Sequence, residues 1–205
     1  GFRPIDIHLE ALKKMGVKYK LVDGYINAKA KNGLVGAKIK FPKISVGATE
    51  NLMIAACLAK GQTVLSNCAI EPEIKDLSNF LCSIGAKIVW TGRRQVKIIG
   101  IKTFKQSNYK IMFDRIEAGT MLVAAAVNQG NLKLTGVETD ILKTEINVLK
   151  KIGAKIIQKK NEIIIQGNKK IKNINIKTSP YPGFPTDLQS QLMVLLCKAN
   201  KKSTI

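Results

Sequence analysis

Apolar residues recur at spacings of three and four in three places along the chain. The stripes are Leu9, Leu12 and Met15, then Ile74, Leu77, Leu81 and Ile84, then Leu142, Ile146, Leu149 and Ile152. Each predicts an amphipathic helix with one buried face. A glycine ends each stripe, at Gly16, Gly85 and Gly153, where the left-handed conformation stops a helix. Alternating stretches follow and predict hairpins that turn near Asp23-Gly24, Thr91-Gly92 and Lys160-Asn161. The three glycines recur at about 69 residues, an internal period.

A second pattern repeats in the same phase. Apolar runs cover Leu52–Ala59, Met121–Val127 and Leu192–Cys197, each behind polar residues and ahead of a polar turn. A helix apolar on all sides predicts burial all round. Strand candidates precede the runs at Ala37–Phe41, Tyr109–Met112 and Ile174–Thr178. The first run belongs to KISVGATENLMIAACLAKG, Lys43–Gly61, read as a strand end, a tight turn and a helix. Ser45 or Thr49 can cap that helix, and Glu50 lies where negative charge suits its dipole. The helix start, with Lys43 before it, is a candidate anion site.

Joined, the two patterns give one unit: strand, apolar helix, strand, amphipathic helix, strand, strand. Complete units run from about Gly36 to Gly100 and from about Tyr109 to Gly167, with partial ones on either side. The expected fold class is α/β: an inside-out barrel of βαβαββ repeats, with helices inside and sheets outside, the inverse of the usual arrangement. A domain boundary is expected near Ser107–Phe113, giving residues 1–112 and 113–205.

Composition narrows the function classes. With 205 residues and 45% hydrophobic content, a sizeable core is possible. No apolar run reaches the roughly 18 residues of a membrane helix, and the opening GFRPIDIHLEALKKMG reads as mid-domain sequence, not as a signal or transit peptide. Cys57, Cys68, Cys82 and Cys197 form no CxxC pair, and are read first as buried free thiols in a reducing compartment, ahead of disulfides or zinc. The net charge is +20, mostly lysine, scattered through nearly every segment. A solvated basic surface is the first reading and an anionic ligand the second. Nucleic acid comes last, because aromatics total 5% and do not interleave with basic runs.

Polar residues open the three apolar helices: Lys43 and Ser45 the first, Asp114, Arg115 and Glu117 the second, Thr186 and Asp187 the third. Arg3, Asp6 and His8 crowd around Pro4 at the start. Taken singly these are weak signals, since Ser, Thr and Asp commonly open helices as caps for structural reasons alone. The Asp114-Arg115-Glu117 cluster reads as a capping arrangement or an interdomain ion pair, His8 as a surface or capping histidine, and Trp90 as packing.

The words GFRPIDIHLEALKKMG, SVGATENLMIAACLAKG, EPEIKDLSNFLCSIGAKI, DRIEAGTMLVAAA and PYPGFPTDLQSQLM together resemble the UDP-N-acetylglucosamine enolpyruvyl transferase family. The resemblance covers essentially the whole chain and implies the same barrel fold. It also implies a cytoplasmic enzyme of peptidoglycan synthesis that moves the enolpyruvyl group of phosphoenolpyruvate to the 3′-hydroxyl of UDP-N-acetylglucosamine, with no metal or cofactor. By the same resemblance Arg3 meets phosphoenolpyruvate, and Arg3, Pro4, Ile5, Asp6 and Ile7 line the uridine site. Lys43, Ile44, Ser45, Val46 and Gly47 hold the nucleotide end, and Asp187 takes the proton of the sugar hydroxyl. The family's mobile catalytic loop and its N-terminal lysine have no counterpart here. The remainder of the enzyme is expected to be needed to complete the site, and the chain alone to be inactive. The alternatives are a 3-phosphoshikimate enolpyruvyl transferase and a non-catalytic RNA-binding module.

Overall fold

The stripes and glycines of the sequence become ordered elements in the computed structural model, which describes residues 5–205. The chain divides after residue 111 into two compact units. The first begins with α1 (Asp6–Lys14), which turns Ile7 and Ala11 inward and is followed by buried Met15. Gly16 stops it at φ +95°. Hairpin β1 (Lys18–Val22) and β2 (Tyr25–Lys29) closes through Asp23 and Gly24, both at positive φ as a two-residue turn demands. Next come β3 (Lys38–Lys40), α2 (Val46–Cys57), β4 (Gln62–Ser66), α3 (Pro72–Ser83), β5 (Lys87–Gly92) and β6 (Gln95–Ile99). They build a four-stranded sheet in the order β3-β4-β6-β5. The β3–β4 pair is parallel, which requires a crossover, and α2 supplies it. Leu52, Met53, Leu65, Ile74 and Ile98 form the centre of this unit's core.

The second unit repeats the plan. It contains α4 (Arg115–Val127), β7 (Asn131–Thr135), α5 (Lys143–Ile152), β8 (Lys155–Lys159), β9 (Glu162–Gln166) and α6 (Gln189–Leu196). Its sheet runs β7-β9-β8, the same order as β4-β6-β5. Leu122, Ile146, Leu149, Ile163 and Leu192 fill its core. A glycine after the last strand of the four-stranded sheet, and another after that of the three-stranded sheet, lies against the end of the apolar helix. A Cβ on Gly100 would overlap the Ala59 carbonyl oxygen, and one on Gly167 would lie 2.7 Å from Gln129 Cα.

Several expectations need correction. No sheet among the described residues closes into a barrel. The hairpin β1-β2 and the four- and three-stranded sheets are separate, each with open edges, because every ladder is completed within its own repeat. The apolar helices are not buried all round either. Ile54 and Leu58 at α2 are about half exposed, as are Met121 on α4 and Met193 and Val194 on α6, because each helix finds partners on one side only. Tyr109–Met112 forms no strand; the Tyr109 hydroxyl is instead tied to Asp76 of α3 at 2.8 Å. Ile174–Thr178 makes only isolated bridges, Asn175 to Thr204 and Thr178 to Phe184. The second hairpin turns at Arg93-Arg94, beyond Thr91-Gly92, because a bulge lies between Trp90 and Gly92. Cys82 and Cys197 are exposed; only Cys57 and Cys68 are buried.

Candidate functional site

Two stretches singled out in the sequence meet in the first unit, at the starts of α1 and α2. The Ile5 carbonyl accepts from the N–H groups of His8 and Leu9, at 3.0 and 3.1 Å, which starts α1 with Asp6 exposed and Ile7 turned inward. At α2 the Ser45 backbone is extended, and its Oγ accepts from Ala48 N at 3.2 Å. Ser45 is therefore the cap. Thr49 does something else: its Oγ1 donates to Ser45 O at 2.8 Å and accepts from Ala69 N at 3.0 Å. That ties the helix start to the loop after β4. Lys43 and Gly47 are exposed, while Ile44, Ser45 and Val46 are half-buried.

His8 joins the two turns. A Cβ on Gly47 would lie 3.6 Å from His8 Cε1, and Asn51 Nδ2 lies 3.2 Å from His8 Nδ1. A cavity of about 130 Å³ lies between α1 and the end of β3, lined by Asp6, Glu10 and Lys14 on one side and by Lys40 and Pro42 on the other, and does not reach Gly47. The start of α2, with exposed Lys43 just before it in the chain, offers backbone N–H groups suited to an anion. Arg3 and Pro4 lie outside the described residues. Glu50 does not sit in the first turn of α2. Burial and the carboxylates of Glu73 and Glu71 push it above the usual glutamate range.

Asp187 belongs to the second unit. The segment before it folds on itself: Ser179 N donates to Phe184 O at 3.0 Å, and Gly183 N to Pro180 O at 2.9 Å. A 3-10 turn, Thr186–Leu188, then leads into α6. Asp187 is exposed and its neighbour Leu188 is buried.

The Asp114-Arg115-Glu117 cluster separates into distinct roles. Asp114 Oδ1 caps α4, accepting from Ile116 N at 2.7 Å and Glu117 N at 3.1 Å. Arg115 turns inward, 3.7 Å from Glu145 and over the Tyr181 ring, so its ion pair lies within the second unit. The sequence reading missed Glu145 and Tyr181. A signal existed for Glu145, which falls in phase with the apolar stripe of α5.

Burial pushes the Cys57 thiol up to about 11 and that of Cys68 to about 12, the latter partly opposed by Arg94. Neither is poised as a nucleophile. Among the described residues no three His, Cys, Asp or Glu side chains gather as metal ligands. No helix among them is long and apolar enough to cross a membrane.

Known proteins resemble the chain from end to end. UDP-N-acetylglucosamine 1-carboxyvinyltransferase of Pelagibacter ubique is 69% identical over 205 residues, which is 100% of this chain and 49% of that protein. The corresponding protein of Geotalea uraniireducens is 46% identical with the same coverage. The chain spans about half the length of the curated relatives it matches. Among solved structures, the enolpyruvyl transferase NikO from Streptomyces tendae matches with a TM-score of 0.82 at 20% identity, over 96% of this chain and 50% of that one. EPSP synthase of Acinetobacter baumannii matches with a TM-score of 0.62 at 18% identity, over 96% and 44%. At such identities the structural likeness speaks for the fold. The family model for EPSP synthase (3-phosphoshikimate 1-carboxyvinyltransferase) matches residues 1–205, so the repeated units and their glycine-stopped helices belong to a member of that family.

Proposed function

We propose that this chain carries the nucleotide-sugar and acceptor-activating parts of an enzyme that transfers the enolpyruvyl group from phosphoenolpyruvate to the 3′-hydroxyl of UDP-N-acetylglucosamine. This would be the first committed step of peptidoglycan synthesis, in the cytoplasm. The observation that carries the reading is 69% identity, along all 205 residues, to a protein named for that reaction. The acceptor oxygen bonds to C2 of phosphoenolpyruvate while the methylene carbon gains a proton. The tetrahedral ketal then expels phosphate and the methyl group gives a proton back.

In this reading residues 1–112 serve the nucleotide and 113–205 the acceptor hydroxyl. Arg3 meets phosphoenolpyruvate, because a guanidinium binds carboxylate or phosphate through two hydrogen bonds. Arg3, Pro4, Ile5, Asp6 and Ile7 line the uridine site, and Lys43 through Gly47 hold the diphosphate end. The closeness of the α1 and α2 starts supports that grouping, since Asn51 Nδ2 of α2 lies 3.2 Å from His8 Nδ1 of α1. Asp187 accepts the hydroxyl proton; its exposed position leaves it open to a sugar. The rest of the enzyme completes the site.

The test replaces the matching half of the Pelagibacter ubique relative with this chain. Asp187→Asn in that protein is expected to bind UDP-N-acetylglucosamine within a few-fold of the parent and to lose about 100-fold or more in turnover. Normal turnover would remove Asp187 from its role. Turnover of shikimate 3-phosphate in place of the nucleotide sugar would move the chain to the other acceptor.

A further inference from the structure

We propose that Arg115 is a positioning residue for Asp187, an inference that rests on the proton-acceptor reading of that carboxylate. The buried Arg115 guanidinium lies 3.7 Å from Glu145 Oε1, an ion-pair separation longer than a hydrogen bond, and its Cζ is 5.9 Å from the centroid of the Tyr181 ring. Tyr181 stands on the segment that delivers the chain to Asp187. A second fixing lies beside the first: Thr144 Oγ1, next to Glu145 on α5, donates to Pro182 O at 2.6 Å. Past Asp187 the chain is fixed again, to the next turn of α4. Leu188 packs so tightly on Gly119 that a Cβ there would lie 2.5 Å from its Cδ1. Gln191 Nε2 donates to Thr120 Oγ1 at 3.0 Å. Asp187 is therefore an exposed residue on a span held at both ends.

The upstream fixing uses buried charge, and that calls for a reason. Two desolvated ions gain little over well-packed apolar side chains of equal volume, so stability alone does not account for the pair. A planar guanidinium offers what an apolar chain cannot: one face for a ring and one edge for a carboxylate, in a single orientation. Orientation matters for proton transfer, which needs the carboxylate oxygen within hydrogen-bond reach of the hydroxyl.

The experiment uses the same chimeric protein carrying the whole chain. Arg115→Met/Glu145→Met removes both charges together, so neither is left buried alone. A misplacement of about 1 Å costs on the order of 100-fold, so we expect kcat to fall at least tenfold while KM for UDP-N-acetylglucosamine stays within about threefold. Tyr181→Leu is expected to do the same, and Tyr181→Phe, which keeps the ring, to restore turnover. A double variant with parental kcat overturns the proposal, as does one whose activity falls only in step with its folded fraction by thermal unfolding. Asp187→Asn separates the two levels. If it turns over normally, the reading of Asp187 fails and this inference with it. If it is inactive while the double variant is not, only the positioning role falls.

Discussion

Glu50 illustrates how a single residue departs from its local pattern. Read along the helix, its charge suits the start of α2. In three dimensions it is half-buried, and that burial, with the carboxylates of Glu73 and Glu71 adding to it, holds its pKa above the usual value. An acid raised in the folded state binds more protons there than in the unfolded chain. Its favourable contribution is thus present at low pH and is lost as pH rises from the unfolded value through the folded one. Glu50→Gln, which imitates the protonated form, is expected to unfold at a higher temperature than the parent at pH 7. The difference should shrink as pH falls through the ordinary glutamate value and vanish at about pH 3, where the parent is protonated in both states. An unchanged or lowered melting temperature at pH 7 would show that the carboxylate cluster does not strain the fold. Residues with a conformational signature were legible from sequence: Gly16, Gly85 and Gly153 all adopt positive φ where their helices stop. The Arg115–Glu145 pair was not. Its partners are distant in sequence, and only the phase of Glu145 within an apolar stripe marked it.

Among the elements, the strand end and the apolar helix end of each repeat approach backbone to backbone. Gly100 abuts the Ala59 carbonyl and Gly167 abuts Gln129. Backbone cannot swing aside as a side chain does, so a methyl group at Gly100 forces the helix and sheet apart. Overpacking of this kind costs about 1–3 kcal/mol, which at this chain length lowers Tm by roughly 2–12 °C. Gly92→Ala is the control, because its Cβ would meet only Gln95 Cβ at an ordinary 3.8 Å. Equal melting of the two variants would refute this close approach. Apolar runs identified the helices of this repeat but overstated their burial. A run such as Leu52–Ala59 fixes what the helix is made of, whereas Ile54 and Leu58 stay exposed because partners arrive on one side only. Barrel closure was similarly illegible. It depends on strand edges meeting between repeats, and nothing in a strand's own alternation decides that.

At the scale of the whole molecule, two units each enclose their own core, and the proposed roles are divided between them. The turns proposed for the nucleotide lie in the first and Asp187 in the second. The chain spans 49% of its Pelagibacter ubique relative. The proposed reaction converts two anionic substrates and needs cations and donors around phosphoenolpyruvate as well as the groups proposed for this chain. A chain holding only part of that set can bind without turning over, since binding that is equal in ground and transition states accelerates nothing. The isolated 205-residue chain is therefore expected to release no phosphate from phosphoenolpyruvate in the presence of UDP-N-acetylglucosamine. The chimera with the relative's other half is expected to release it. Phosphate release by the isolated chain at a rate near that of the chimera would place the complete catalytic set within these 205 residues, and the division of roles proposed for the two units would have to be redrawn.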